Sequence, residues 1–183
     1  KGPSSGRPPI RALILVPTRE LAMQVEESVR DYGKYLKLSS MMMIGGVNIN
    51  PQITRLKSRV DILVATPGRL LDHVQQNTLS LSQIEILVLD EADRMLDMGF
   101  ADDIKTILKY VPEKRQTIMF SATMAPKIRV LAGHLLNNPE TINIALSKPA
   151  AGIVQQAYVV YDGQKEKLLK EILKNEDFSS VII

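Results

Sequence analysis

Four short polar clusters, each directly following an apolar run, carry residue types able to do chemistry. The run Ile86-Leu87-Val88-Leu89 ends in Asp90-Glu91-Ala92-Asp93. An apolar strand closing on two carboxylates is the Walker B arrangement, in which the first acid holds Mg²⁺ through water and the next orients or activates a nucleophilic water. The same acids would equally serve as the N-terminal cap of a short helix that follows. Ser121-Ala122-Thr123 comes after Thr117–Phe120. Its hydroxyls could hydrogen-bond Asp93 and tie two strand ends together, or Thr123 could simply cap the helix near Pro126. Pro17-Thr18-Arg19-Glu20 and Thr66-Pro67-Gly68-Arg69 follow the runs Ala12–Val16 and Ile62–Ala65. Both read as helix starts, with Thr66 a suitable cap and Pro67 a suitable first helical residue. Each then places an arginine in the first turn, where the helix dipole disfavours a cation. A phosphate seated between dipole and guanidinium would remove the conflict, and Gly68 would let it approach the backbone closely. Two capped helices with solvated arginines are the plainer alternative.

The elements that must hold these clusters follow from the hydrophobic pattern. Apolar runs at Ala12–Val16, Met41–Ile44, Ile62–Ala65, Ile84–Leu89, Thr117–Phe120 and Thr141–Ile144 suit strands buried on both faces of a parallel sheet. Between them the spacing predicts helices over Arg19–Leu38, Asn50–Ser58, Gly68–Gln76, Asp102–Tyr110 and Pro126–Leu136. Strands alternating with helices point to right-handed crossovers and an open α/β sheet, whose ligands bind beyond the carboxyl ends of the strands. All four polar clusters are therefore expected on one edge. Residues 1–9 read as a flexible arm and Ser147–Gly152, rich in small residues and punctuated by Pro149, as a linker. A strand at Gln156–Tyr161, a helix at Gln164–Leu173 and an apolar run at Val181–Ile183 follow. That unit is too small to bury both faces of its own sheet, and reads as the opening of a second domain. His73 is expected on the solvated face of its helix. The Met41–Met43 run fits a buried strand, and Tyr158 and Tyr161 read as packing residues.

Composition bounds the function. The 183 residues are 45% hydrophobic and 23% charged, as in ordinary globular proteins. A formal net charge of +3 forces no partner, so any nucleic-acid site must come from local placement of charge. The absence of cysteine excludes disulfides, thiolate metal sites and cysteine nucleophiles, and two histidines are too few for a histidine-rich metal site. No apolar run approaches the roughly 20 residues of a membrane span. The opening residues lack the apolar core of a signal peptide. A soluble, cytoplasmic protein is expected.

Taken together, Pro17-Thr18-Arg19-Glu20-Leu21-Ala22, Gly45-Gly46, Thr66-Pro67-Gly68-Arg69, Asp90-Glu91-Ala92-Asp93 and Ser121-Ala122-Thr123 stand in the order and spacing of the DEAD-box RNA helicases. Any one of these motifs is weak; five in order resemble that family closely. The resemblance implies an ATP-dependent RNA helicase that remodels duplexes locally, with ATP and Mg²⁺ as cofactors and RNA as partner. It implies a RecA-like open parallel sheet over residues 10–146, an interdomain linker at 147–154 and the start of a second RecA-like domain at 155–183. By the same resemblance Asp90 would hold Mg²⁺ through water and Glu91 would position or deprotonate the attacking water. Asp93, Ser121 and Thr123 would couple nucleotide state to domain closure. Pro17, Thr18, Arg19, Gly46, Thr66, Gly68 and Arg69 would line the RNA backbone, in contacts that are sequence-independent and salt-sensitive.

The family pattern also places an adenine-reading glutamine motif and a glycine-rich phosphate loop ahead of Pro17, and arginine motifs in the second domain. Lys1–Pro9 resembles neither upstream motif. The expectation is a helicase fragment, inactive alone, whose exposed sheet edge invites strand exchange between chains. The rival is a non-catalytic nucleic-acid or protein-binding module on the same fold. The intact acids at Asp90, Glu91 and Asp93 argue against it.

Overall fold

The computed structural model describes residues 9–144, 152–154, 156–174 and 179–182. The chain divides into two compact units, Lys1–Glu140 and Thr141–Ile183. The first is an α/β layer structure. Strands β1 (Ala12–Leu15), β2 (Ser40–Met43), β3 (Ile62–Ala65), β4 (Ile86–Leu89) and β5 (Gln116–Met119) form one sheet in the order β2-β3-β1-β4-β5. Every pairing is parallel. Helices α1 (Arg19–Gly33), α2 (Ile49–Arg55), α3 (Pro67–Gln75), α4 (Ala92–Asp97) and α5 (Ala101–Leu108) make the crossovers, and α6 (Pro126–Leu135) follows β5.

Side chains alternate across the sheet, and the two faces are unequally covered. Leu13, Leu15, Met43, Leu63, Ala65, Leu87 and Leu89 point into the main core, where they meet Leu70 and Val74 of α3, Met95 of α4, Ile104 and Ile107 of α5 and Leu131 of α6. The opposite face packs Ile14, Met42 and Val64 against Leu21, Ala22 and Val25 of α1. Only β3 is buried along nearly its whole length. The others show the alternation of strands with one well-covered face, and β5 has no fully buried residue. The expectation of strands buried on both faces therefore holds only at the centre of the β2-β3-β1 half, the half that α1 covers.

The predicted helices are all present, trimmed at their ends. The first stops at Gly33 rather than Leu38, as the low helix propensity of glycine dictates. The short helix after Asp90-Glu91 is α4.

In the second unit, one turn of 3₁₀ helix (Asp162–Gln164) leads into α7 (Lys165–Lys174). The apolar stripe Leu168, Leu169, Ile172 and Leu173 is only half-buried. The strands expected at Thr141–Ile144 and Gln156–Tyr161 are absent: both segments are described and neither is regular. A strand forms when a neighbour accepts its hydrogen bonds, and among the described residues of this unit no strand offers a ladder. Val181 and Ile182 are likewise irregular, and Ile183 lies outside the described residues. So do the arm at residues 1–8 and most of the predicted linker. Tyr158 and Tyr161, expected as packing residues, are 52% and 83% exposed, because nothing within the unit covers them.

Candidate functional site

Sheet register assembles the site. Leu15 lies opposite Ala65 and Leu89, Met43 opposite Ala65, and Leu89 opposite Met119. All five strands finish level, so the clusters that follow them share one edge. Strand order then divides that edge. Pro17, Thr18, Arg19, Gly46, Thr66, Gly68 and Arg69 stand after β1, β2 and β3, whereas Asp90, Glu91, Asp93, Ser121 and Thr123 stand after β4 and β5.

On the basic half, Thr18 has extended backbone and caps α1, its Oγ1 accepting from the Leu21 amide at 3.2 Å. Glu20 sits in the first turn, where the helix dipole favours it. Thr66 occupies the cap position of α3 and Pro67 follows, but the Thr66 hydroxyl makes no capping bond. Pro67, at the first helical position, has no N–H to leave unpaired. Pro17 and Thr66 are buried, while Thr18 and Gly68 are half-buried and Arg19 and Gly46 exposed. Gly46 has φ +73°, and a Cβ placed there would overlap the Arg19 guanidinium. The arginine of β1's edge therefore lies flat against the turn that follows β2. Gly68 leaves its backbone open; an added Cβ would meet only Asp103 Oδ2, at 3.9 Å.

Arg69 is not the solvated side chain of the plainer alternative. It is 11% exposed, donates from one terminal nitrogen to the Val47 carbonyl oxygen at 2.9 Å, and has Nε 3.6 Å from Asp72 Oδ2. Its Nε and other terminal nitrogen are buried without a hydrogen-bond partner. A buried guanidinium with unpaired donors is costly, and an acceptor such as a phosphate oxygen would relieve it.

On the acidic half, Asp90 Oδ1 accepts from the Glu91 amide at 2.9 Å. Glu91 has φ 49° and ψ 52°, left-handed backbone that is strained for a residue bearing a Cβ. This turn points the chain into α4, and Arg94 then reaches back to Glu91 Oε2 at 3.1 Å. Asp93 performs the tie expected of it: its Oδ2 accepts the Thr123 amide at 2.9 Å, and the Thr123 and Ser121 side chains act on the same carboxylate. Ser121 Oγ donates to the Thr123 carbonyl oxygen at 2.8 Å, bracing the same turn. Thr123 does not cap α6, where Ala125 holds the cap position. Burial pushes the Asp93 carboxyl up, but hydrogen bonds from Thr123 and the Arg94 amide outweigh it and hold the group below the usual aspartate range.

His73, expected in solvent, is fully buried. It stands three residues after Leu70 and next to Val74, on the buried face of α3, while Asp72 and Gln75 on the polar side stay exposed. Met41 and Met43 are buried in β2, as their run suggested. Gln52 escaped the motif reading: it is 8% exposed and donates from Nε2 to the Ile44 carbonyl oxygen at 3.1 Å, beneath the Gly45-Gly46 turn. Only its position two residues after a Pro-containing helix start marks it, which is no signal of function.

Among the described residues no group of three or more potential ligands surrounds a metal position, and no helix is long and apolar enough to cross a membrane. The chain is 46% identical to the ATP-dependent RNA helicase CshA of Listeria monocytogenes over 90% of its own length and 32% of the relative's. It is 41% identical to CshA of Limosilactobacillus reuteri over 96% of its length and 36% of that protein. The ATP-dependent RNA helicase DeaD of Buchnera aphidicola matches at 42% identity, over 93% of this chain and 29% of the relative. The chain thus spans about a third of the length of the curated relatives it matches. The family model for the DEAD/DEAH box helicase matches residues 4–131, a span that contains every polar cluster on the sheet edge, and the chain belongs to that family.

Proposed function

We propose that this chain carries the RNA-facing edge and the acidic half of the nucleotide site of an ATP-dependent, cytoplasmic RNA helicase. The observation that carries the reading is the division of one sheet edge into a basic and an acidic half. On the basic half, Thr18, Arg19, Gly46 and Gly68 offer surface to an RNA backbone. Pro17, Thr66 and Arg69 line the edge behind them, and Arg69 brings unpaired donors. Contacts of this type neutralise phosphates without reading bases.

On the acidic half the donor set fits Mg²⁺ better than a fully protein-caged metal. A single carboxylate, Asp90, stands at the strand end, and Mg²⁺ keeps most of its water and takes remaining ligands from phosphates. When bound with ATP the ion would neutralise charge developing on the transferred phosphoryl group. Asp90 would hold that ion's water shell, and Glu91 would accept a proton from, or orient, the attacking water. Arg94, 3.1 Å from Glu91 Oε2, holds that carboxylate in place. Asp93, bonded to the Thr123 amide, makes the β4 and β5 ends move as one, with Ser121 bracing the turn. This is how the site would transmit nucleotide state.

We further propose that residues 10–146 are the first RecA-like domain, 147–154 a linker and 155–183 the beginning of the second. A relative about three times longer supports this division. The thinly covered β5 edge, with Phe120, Met124 and Val130 exposed, would pair with another strand, from a second copy of this chain if none is nearer. Light scattering that finds a clean monomer at high concentration removes the second-copy pairing. The test of function is RNA-stimulated ATP hydrolysis by the full-length parent and its Glu91→Gln variant. Loss of turnover with RNA affinity retained is expected. Full activity in Glu91→Gln would refute the assignment.

A further inference from the structure

The turn at Ile44–Val47 is held from beneath by a residue that no motif marks. Gln52 donates from Nε2 to the Ile44 carbonyl oxygen at 3.1 Å, while its Oε1 is buried with no hydrogen-bond partner. Arg69 grips the far side of the same turn through the Val47 carbonyl oxygen at 2.9 Å. Between these two anchors lies Gly46, at φ +73°, with the Arg19 guanidinium against it. Asn48, whose Oδ1 accepts the Asn50 amide at 2.9 Å, then starts α2 and so sets where Gln52 stands.

A buried amide that satisfies one of its two ends is a poor stabilising device, since the gain of the bond is offset by the desolvated acceptor. What the bond does accomplish is geometric. It pins the first carbonyl of the turn, and with Arg69 pinning the fourth position the intervening Gly46 is held in its left-handed conformation. Among the described residues no side-chain hydrogen bond or ion pair holds Arg19, so the Gly46 turn is what it rests on.

We propose that Gln52 is a positioning residue for the RNA-facing edge: it acts through the Ile44–Val47 turn to set where Arg19 presents its guanidinium. The proposal rests on the reading of this edge as an RNA contact. It goes beyond that reading by assigning the geometry of the contact to a side chain that never meets the ligand.

The test uses the 183-residue chain with a short fluorescently labelled single-stranded RNA, followed by anisotropy across salt concentration. Gln52→Met keeps the volume and removes both the donor and the unpaired acceptor. It should melt close to wild type yet bind RNA about fivefold more weakly, the factor that one hydrogen bond carries. The slope of log affinity against log salt should fall by roughly one unit, as one phosphate contact is lost. Amide exchange at Gly46 and Val47 should quicken while that of the core strands does not. Gln52→Met in an Arg19→Ala background should add no further loss, a non-additivity that a purely structural role would not produce. Gln52→Asn, too short to reach Ile44, should repeat the pattern if the Met variant is unstable. Wild-type affinity and slope in both Gln52 variants, with Arg19→Ala weakened, would overturn the proposal and leave the RNA reading standing. Unchanged affinity in Arg19→Ala as well would defeat the RNA reading itself.

Discussion

Acidification should destabilise this protein through His73 well before its carboxylates titrate. The ring is fully buried, with Nδ1 2.7 Å from Thr78 Oγ1, and that hydroxyl already donates to the His73 carbonyl oxygen at 3.0 Å. A hydroxyl has one proton, so Nδ1–H must be the donor to Thr78. Nε2 is then unprotonated, and it is buried without a partner. Protonation would put a charge in apolar surroundings, one helical turn from Arg69. Burial first and Arg69 second hold the His73 pKa below its ordinary value, with Asp72 opposing them. The neutral ring is the form that folding favours. Its contribution is therefore complete above the unfolded pKa, about 6.5, and is lost as pH falls from there towards the folded value. One such group can remove at most about 1.4 kcal/mol per pH unit in that window. Between pH 7.5 and 5.5 the loss is at most about 1.4 kcal/mol, a fall in urea midpoint of no more than roughly 0.7 M. Glu85 and Asp93, the carboxylates that neighbours hold below their usual range, stay ionised throughout. The chain has no tryptophan, so far-UV circular dichroism is the suitable probe of urea unfolding. His73→Leu keeps the volume, removes the titrating group and should flatten the pH dependence. An equal loss in His73→Leu, or none in wild type, would refute the reasoning.

Other substitutions separate strain, capping and packing. Gly46→Ala must adopt φ +73° and push Arg19 aside, so it should lose about 1–2 kcal/mol in urea unfolding and weaken RNA binding together. Glu91→Gly relieves left-handed backbone, and should raise stability by about 1 kcal/mol while abolishing RNA-stimulated ATP hydrolysis in the parent. Thr18→Ala removes the cap on α1 and should cost about 1 kcal/mol of stability, measured by the same unfolding curves. Leu89→Ala opens a cavity under the acidic half and should cost about 2–5 kcal/mol, with the α4 amides exchanging faster than those of α1.

The five parallel strands were legible because each is a short apolar run bounded by turn residues, and the helices because their apolar residues recur at helical spacing. The polar clusters were legible for a related reason. In a parallel α/β sheet every strand ends on the same edge, so whatever follows an apolar run is carried there by topology. The arginines at two helix starts suggest an anion from residue chemistry alone, since a cation beside a positive helix terminus is otherwise unfavourable.

Other features depend on contacts between segments distant in the chain, and no local pattern encodes them. His73 looked solvated because a histidine reads as polar, yet it shares the buried face of α3 with Leu70 and Val74, and Thr78 meets its ring. Tyr158 looked like a packing residue because aromatic residues generally find a core, and here none is offered. Gln156–Tyr161 has the composition of a strand but no strand beside it to complete the ladder. Asp93 was expected to meet the Ser121 and Thr123 side chains, and it does; the Thr123 amide that it also accepts depends on the exact path of the turn after β5. Gln52 and Arg69 converge on one turn only once β2 and β3 lie side by side. Periodicity and residue chemistry are local and survive in the chain as written; burial, hydrogen-bond partners and backbone strain arise only when the sheet closes its distant neighbours together.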